Sequence, residues 1–145
     1  MLAERPEIGP GEFKIEPNRA GYAEFVAPDL VEGTLREGYR YLDSLPSGFH
    51  RAVFAMFLVS EVHPFADGNG RVARILMNSE LSAVGEQRIL VPIASRDDYL
   101  QALRGMTHNR NASSLVRVMA ALQLESSEDN FSDRATGGFW HTERA

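Results

Sequence analysis

Along this chain of 145 residues the spacing of apolar side chains changes character several times. Residues 12–26 hold two alternating stretches, FKIE and YAEFV, separated by PNRAG, and that pattern predicts a short, irregular β-hairpin. From Asp29 the period becomes helical: Leu30, Val31, Leu35, Tyr39 and Leu42 share one face of a helix that ends near Asp43, where Leu45-Pro46-Ser47-Gly48 breaks it. A second helix, from about Phe49 to Val62, is apolar nearly all round, the pattern of a central, buried helix. It stops at His63-Pro64. A third helix is predicted from about Gly70 to Val84, with Gly85 as its stop, and the run from Arg88 to Ile93 reads as extended. Ser95, followed by Asp97 and Asp98, has the pattern of an N-cap with an acidic first turn, opening a helix through Tyr99, Leu100, Leu103 and Met106. A fifth helix, from about Ser113 to Leu124, turns Leu115, Val116, Met119 and Leu122 inward. The expected fold is all-α, a helical bundle with one hairpin near its N-terminus. Residues 1–125 form the single expected domain, and 126–145 a polar tail in which Phe139 and Trp140 are candidates to dock on the core.

Composition narrows the class. With 43% hydrophobic and 24% charged residues the chain has the make-up of a globular protein with a real core. No apolar run approaches the roughly 18 residues that span a bilayer, and the N-terminus lacks the apolar core of a signal peptide, so a cytoplasmic location is expected. The absence of cysteine excludes a disulfide scaffold, a thiolate zinc site and a cysteine nucleophile. A net charge of -5 argues against broad attraction to nucleic acid or to an anionic membrane. Any basic site must be local.

One such site stands out where the apolar second helix ends, in HPFADGNGRVAR, residues 63–74. Glycine and asparagine tolerate positive φ, so Asp67-Gly68-Asn69-Gly70 is suited to a tight loop whose N–H groups turn inward. A helix that begins at Gly70 adds its own first-turn N–H groups and dipole, which makes an anion site, and phosphate is the natural guest. Arg71 and Arg74, three apart on one face, reach the same anion. Cations at a helix N-terminus are mildly unfavourable alone, so a bound negative charge is expected to offset them. Asp67 places a carboxylate beside this anion site, suited to Mg²⁺ bridging phosphate oxygens. His63 is the nearby group able to take a proton near neutral pH, and Phe65 is expected to pin the loop by pointing into the core. Taken singly, each has a plainer reading: a capping histidine, a turn, a pair of solvated arginines. Their coincidence at the start of one helix is what argues for chemistry. Ser47, His50, His108 and His141 show no such cluster, and no GxxxxGK[ST], GxGxxG or HExxH is present.

HPFADGNGRVAR resembles the HxFx[DE]GNGRxxR signature of the Fic (filamentation induced by cAMP) domain family and agrees with it at every specified position. With the preceding helix and, more loosely, PGEFKIEPNRAG, the resemblance covers roughly residues 10–125. It implies a Fic-type helical bundle and protein adenylyltransferase activity, the transfer of AMP from ATP to a Ser, Thr or Tyr hydroxyl of a target protein. By the same resemblance His63 is the general base, Asp67 the Mg²⁺ ligand, and Gly68, Asn69 and Gly70 the anion hole. Arg71 then holds the triphosphate and Arg74 its γ end. The hairpin within residues 12–26 becomes the flap on which the target protein docks by strand addition. Self-modification is a further expectation. Tyr99 is a candidate contact for the adenine or ribose, with plain core packing as the competing reading.

Many members of that family are inhibited through a glutamate in an [ST]xxxE[GN] segment. The nearest stretch here, Ser82 to Gln87, ends on the wrong residue and places Glu86 on the order of 22 Å from Arg71 along a helix, so no inhibitory role is assigned to it. Two alternatives stand beside AMP transfer. One is transfer of another phosphate-containing moiety, disfavoured because the phosphorylating relatives carry Lys-Arg where this chain keeps Gly70-Arg71. The other is a nucleotide-binding regulatory module with vestigial catalysis, against which the intact His63 argues.

Overall fold

The structure, a computed structural model, describes residues 9–21 and 23–128. The candidate docking residues Phe139 and Trp140 lie outside that range. Five helices make up the body: α1 (Val31–Ser44), α2 (Phe49–Val62), α3 (Asn69–Ala83), α4 (Arg96–Asn109) and α5 (Ser113–Glu128). Two short 3₁₀ turns, Pro28–Leu30 and Ile93–Ser95, lead into α1 and α4. An antiparallel pair of two-residue strands, β1 (Arg19–Ala20) and β2 (Ala23–Glu24), precedes them. The helical bundle with a small hairpin is the expected fold.

Helix α2 is central because its sequence leaves no polar face wide enough for solvent. Seven of its fourteen residues are buried, among them Val53, Met56, Leu58 and Val62. On one side Val53, Met56 and Val59 meet Ala73, Met77 and Leu81 of α3, Tyr99 and Leu103 of α4, and Met119 of α5. On the other side Leu58 and Val62 close on Val31 and Leu35 of α1. Each large apolar side chain so buried contributes about 1.5–3 kcal/mol, which fixes α2 and therefore the residue that follows it. Gly38 lets α1 come close, since a Cβ there would run into the Leu58 side chain. Arg51 joins three elements by donating to the Glu80 carboxylate on α3 at 2.7 Å and to the Leu42 carbonyl of α1 at 2.7 Å.

The first strand of the hairpin and the Ser95 cap need correction. The hairpin is tighter than the alternation implied: β1 lies inside PNRAG, and FKIE is not a strand. Its alternation is real but inverted, with Lys14 buried and its apolar neighbours Phe13 and Ile15 turned outward, Ile15 being 90% exposed. The run Arg88–Ile93 joins no sheet. Asn78 on α3 brackets Ile89 instead, accepting from its N–H at 2.8 Å and donating to its carbonyl at 3.0 Å, while the Ser126 hydroxyl accepts from Leu90 N–H. Ser95 does precede α4, but its side chain makes no capping bond, because the 3₁₀ turn already leads the backbone into the helix. Among the described residues no helix is long and apolar enough to cross a membrane.

Candidate active site

The chain leaves α2 through a left-handed residue. His63 takes φ 49° and ψ 58°, a conformation that helix ends usually assign to glycine. It is one of two non-glycine residues at positive φ among those described. Strain of this kind, of order 1–3 kcal/mol, persists where the surroundings impose it, and it gathers at functional sites. Pro64, buried behind His63, cannot continue the helix.

The imidazole is oriented from two sides. Nδ1 lies 2.9 Å from the Ser60 carbonyl. A carbonyl only accepts, so Nδ1 donates, and in the neutral ring Nε2 is left as the acceptor. The Phe25 ring stacks on the imidazole with centroids 3.6 Å apart and planes 7° from parallel. Burial pushes the His63 pKa below its ordinary 6.5, helped by the Lys14 charge and opposed by the Ser60 carbonyl and Glu61. The outcome is a neutral ring at pH 7 with a free lone pair on a fixed nitrogen.

The loop to α3 is held by side chains. Asn69 is buried and brackets Phe65, accepting from its N–H at 2.9 Å and donating to its carbonyl at 2.8 Å. The Asn69 side chain is therefore committed to the loop, which leaves only its backbone N–H for the anion role expected of it. Phe65 itself is half-buried, its ring centroid 6.0 Å from that of Phe13, so it pins the loop against the N-terminal segment and not in the main core. Gly68 caps α3 at φ 83°, and its carbonyl accepts from the N–H groups of Arg71 and Val72. The amides of Asn69 and Gly70 are thus the first-turn donors with no acceptor inside the helix. Gly70 has no positive φ, and a Cβ there would stand 3.4 Å from the Arg74 guanidinium, an ordinary contact with the end of a flexible side chain. Asp67 accepts from Gly68 N–H at 2.6 Å and lies 3.6 Å from Arg71.

These residues border two adjoining cavities. The smaller, about 330 Å³, is lined by His63, Asp67, Gly68, Asn69, Gly70, Arg71 and Arg74, the whole set expected to handle phosphate and metal. The larger, about 630 Å³, is walled by Phe25, Tyr99, Leu100 and Leu103. His63, Gly70 and Arg74 line both, so they stand at the junction. Tyr99 is 4% exposed, and its hydroxyl donates to the Met56 sulfur at 3.5 Å. Burial raises its pKa, with Ser60 and Arg74 pulling the other way. Tyr99 is a core residue with one edge on the larger cavity. Four contributors escaped the sequence: Ser60, Phe25, Lys14 and Asn18. Phe25 alone carried a signal, as the aromatic of YAEFV.

Among the described residues no three His, Cys, Asp or Glu side chains gather as a metal cluster. Asp67 is the one carboxylate of the smaller cavity. That donor set suits Mg²⁺, which takes one or two carboxylates together with phosphate oxygens and water.

Comparison with known proteins places this geometry. The model of the Fic/DOC family matches residues 1–81. A Fido domain-containing protein of Dictyostelium discoideum is 33% identical over 103 residues, 67% of this chain and 71% of its own length. The protein adenylyltransferase fic-1 of Caenorhabditis elegans is 40% identical over 107 residues, 71% of this chain, though the match spans only 21% of the worm protein. Among solved structures, Fic-1 from C. elegans superposes with a TM-score of 0.70 at 24% identity, covering 93% of this chain and 39% of that one. A Fic domain containing signaling protein from Bacteroides thetaiotaomicron gives 0.65 at 22% identity, covering 80% of this chain and 52% of that one. With more than half of the chain matched by the family model, and the signature loop folded where helix α2 meets α3, the chain belongs to the Fic/DOC family.

Proposed function

We propose that this protein is an adenylyltransferase that moves AMP from ATP to a hydroxyl side chain, Ser, Thr or Tyr, of a target protein. The observation that carries the reading is the position of His63, at the junction of a cationic, amide-lined cavity and a larger one that has Phe25, Tyr99, Leu100 and Leu103 on its wall. That arrangement suits a nucleotide with its phosphates over α3 and its nucleoside against Phe25 and Tyr99. Neutral His63, its Nδ1 hydrogen spent on Ser60, takes the proton of the incoming hydroxyl on Nε2. The hydroxyl oxygen then bonds to the α-phosphorus, and the bond from that phosphorus to the bridging oxygen breaks, releasing pyrophosphate. The amides of Asn69 and Gly70 and the guanidiniums of Arg71 and Arg74 hold the charge that develops on the phosphate oxygens. Mg²⁺ held by Asp67 would supply further charge neutralisation there. The exposed pair β1 and β2, tied across by Arg19 and Glu24 at 2.6 Å, is suited to present a target segment by strand addition.

Incubation of cell lysate, or of the protein alone, with ATP labelled at the α-phosphate tests the reading. Label is expected in a protein, this chain itself included, and the His63→Ala variant is expected to transfer none. Transfer of the γ-label instead would replace AMP transfer with phosphoryl transfer. Tight ATP binding with neither label transferred would leave a nucleotide-binding regulatory module.

A further inference from the structure

Helix α2 ends with carbonyls that have no partner inside the helix, and the segment just before the hairpin takes them up. Lys14 Nζ donates to the Val62 carbonyl at 3.3 Å, and Lys14 N–H to the Pro64 carbonyl at 2.8 Å. Asn18 Nδ2 donates to the His63 carbonyl at 3.4 Å and to the Phe65 carbonyl at 3.0 Å. Lys14 Nζ also donates to Asn18 Oδ1 at 2.7 Å, which joins the two side chains into one unit. Four successive carbonyls, 62 to 65, are thereby held by two residues some 45 positions upstream. Lys14 is 5% exposed, and burying an ammonium is costly unless its hydrogens are used. At the C-terminal end of α2 its charge also meets the negative end of the helix dipole.

We propose that Lys14 and Asn18 are positioning residues for His63: together they cap α2 from outside and impose the left-handed turn that sets the imidazole against Ser60 and Phe25. The proposal rests on the adenylyltransferase reading only for what the placed imidazole then does. Left to itself, a histidine after a helix has no reason to remain at φ 49°, because a β-region conformation costs it less. The clamp removes that alternative by binding the carbonyls on both sides of the turn. Groups facing His63 from other elements are Arg19 and Glu24 of the hairpin, Glu61 of α2 and Asp67 of the loop. From α3 come Arg71 and Arg74, and from α4 Arg96, Tyr99, Arg104 and His108. None of these touches the carbonyls from 62 to 65 in a hydrogen bond, so the clamp can be altered separately.

The test follows the His63 ring by NMR across pH 4.5–8.5 in the wild type and in Lys14→Met, Asn18→Ala and Lys14→Arg, with labelling by α-labelled ATP measured in parallel. In Asn18→Ala and Lys14→Met the His63 midpoint is expected to move up toward the 6.5 of a free imidazole. The rate constant for labelling should fall about 10-fold to 100-fold, the scale of a misplaced reacting group, with a smaller change in KM for ATP. Lys14→Arg should recover part of both. A folded Asn18→Ala with an unchanged His63 midpoint and unchanged labelling would overturn the proposal, and so would thermal destabilisation with the midpoint unmoved. If Lys14→Met does not fold, Asn18→Ala and Lys14→Arg carry the test. Because the NMR midpoint needs no turnover, a wild type that never labels protein would defeat the enzymatic reading and leave the clamp still decided by the titration.

Discussion

His63 brings together three constraints that a free histidine does not feel: a left-handed backbone, a carbonyl on Nδ1 and an aromatic ring on its face. Their joint effect is an imidazole that stays neutral at lower pH than usual, as the proposed base requires. The acid limb of the labelling rate should therefore have its midpoint below 6.5, with activity level above it. Phe25→Ala, by uncovering the ring, should move that limb upward, and a rate profile from pH 5 to 8 measures both. The same shift is linked to folding. Because the folded pKa lies below the unfolded one, the unfolded chain takes up the proton first, so the stability tied to His63 is present above about 6.5 and is lost as pH falls through the folded value. Urea unfolding of the wild type and of His63→Ala at pH 7.5 and 5.5 should show the wild type losing more on acidification. An equal loss in both would detach the shift from this residue.

At the scale of elements, packing predicts which changes damage the fold without touching the chemistry. Gly38→Ala drives a methyl group into Leu58 where α1 crosses α2, at a cost of about 1–3 kcal/mol, the usual penalty for overpacking. Denaturant titration should register it, while the folded fraction labels at the wild-type rate. Gly68→Ala is the contrasting case: the cap of α3 at φ 83° becomes strained by about 1–2 kcal/mol, and labelling falls as well because the amides of Asn69 and Gly70 shift. These elements were legible in the sequence wherever a helical period was long. Apolar periodicity and the Gly-rich break, both local signals, predict α2 over its observed span Phe49–Val62 and α3 to within a residue of its start. The hairpin lies within residues 12–26 with β2 inside YAEFV, but its first strand falls in PNRAG and not in FKIE, because alternation says nothing about which set of residues faces inward. There the ammonium of Lys14 turns inward in place of the apolar pair, since it reaches the Val62 carbonyl and the Asn18 side chain. The pairings of Asn78 with Ile89 and of Asn18 with the signature loop join residues 11 and 45 or more positions apart, and no local pattern encodes them.

The whole molecule carries a net charge of -5 while its proposed co-substrate is a polyanion, and range reconciles the two. At physiological salt the Debye length is about 8 Å, so distant carboxylates are screened while Arg71 and Arg74, lining the smaller cavity, are not. Binding to the folded state alone stabilises it, by about 2.7 kcal/mol when ATP is at 100 times its Kd. For a chain of this size that is a rise in melting temperature on the order of 10 °C. The rise should vanish when Arg71 and Arg74 are both changed to Ala, because the cleft then keeps its walls and loses the two cations that α3 presents beside the Asn69 and Gly70 amides. Asp67→Asn should behave differently. It removes the carboxylate suited to Mg²⁺ and leaves the arginines, so the rise with ATP in EDTA should match the wild type under the same conditions, and the further rise on adding Mg²⁺ should disappear. Thermal melts of the three proteins with ATP, with and without Mg²⁺, separate the two contributions. A full Mg²⁺ increment retained in Asp67→Asn would take the metal away from Asp67, and a full ATP shift retained in the double arginine variant would take the nucleotide out of this cleft.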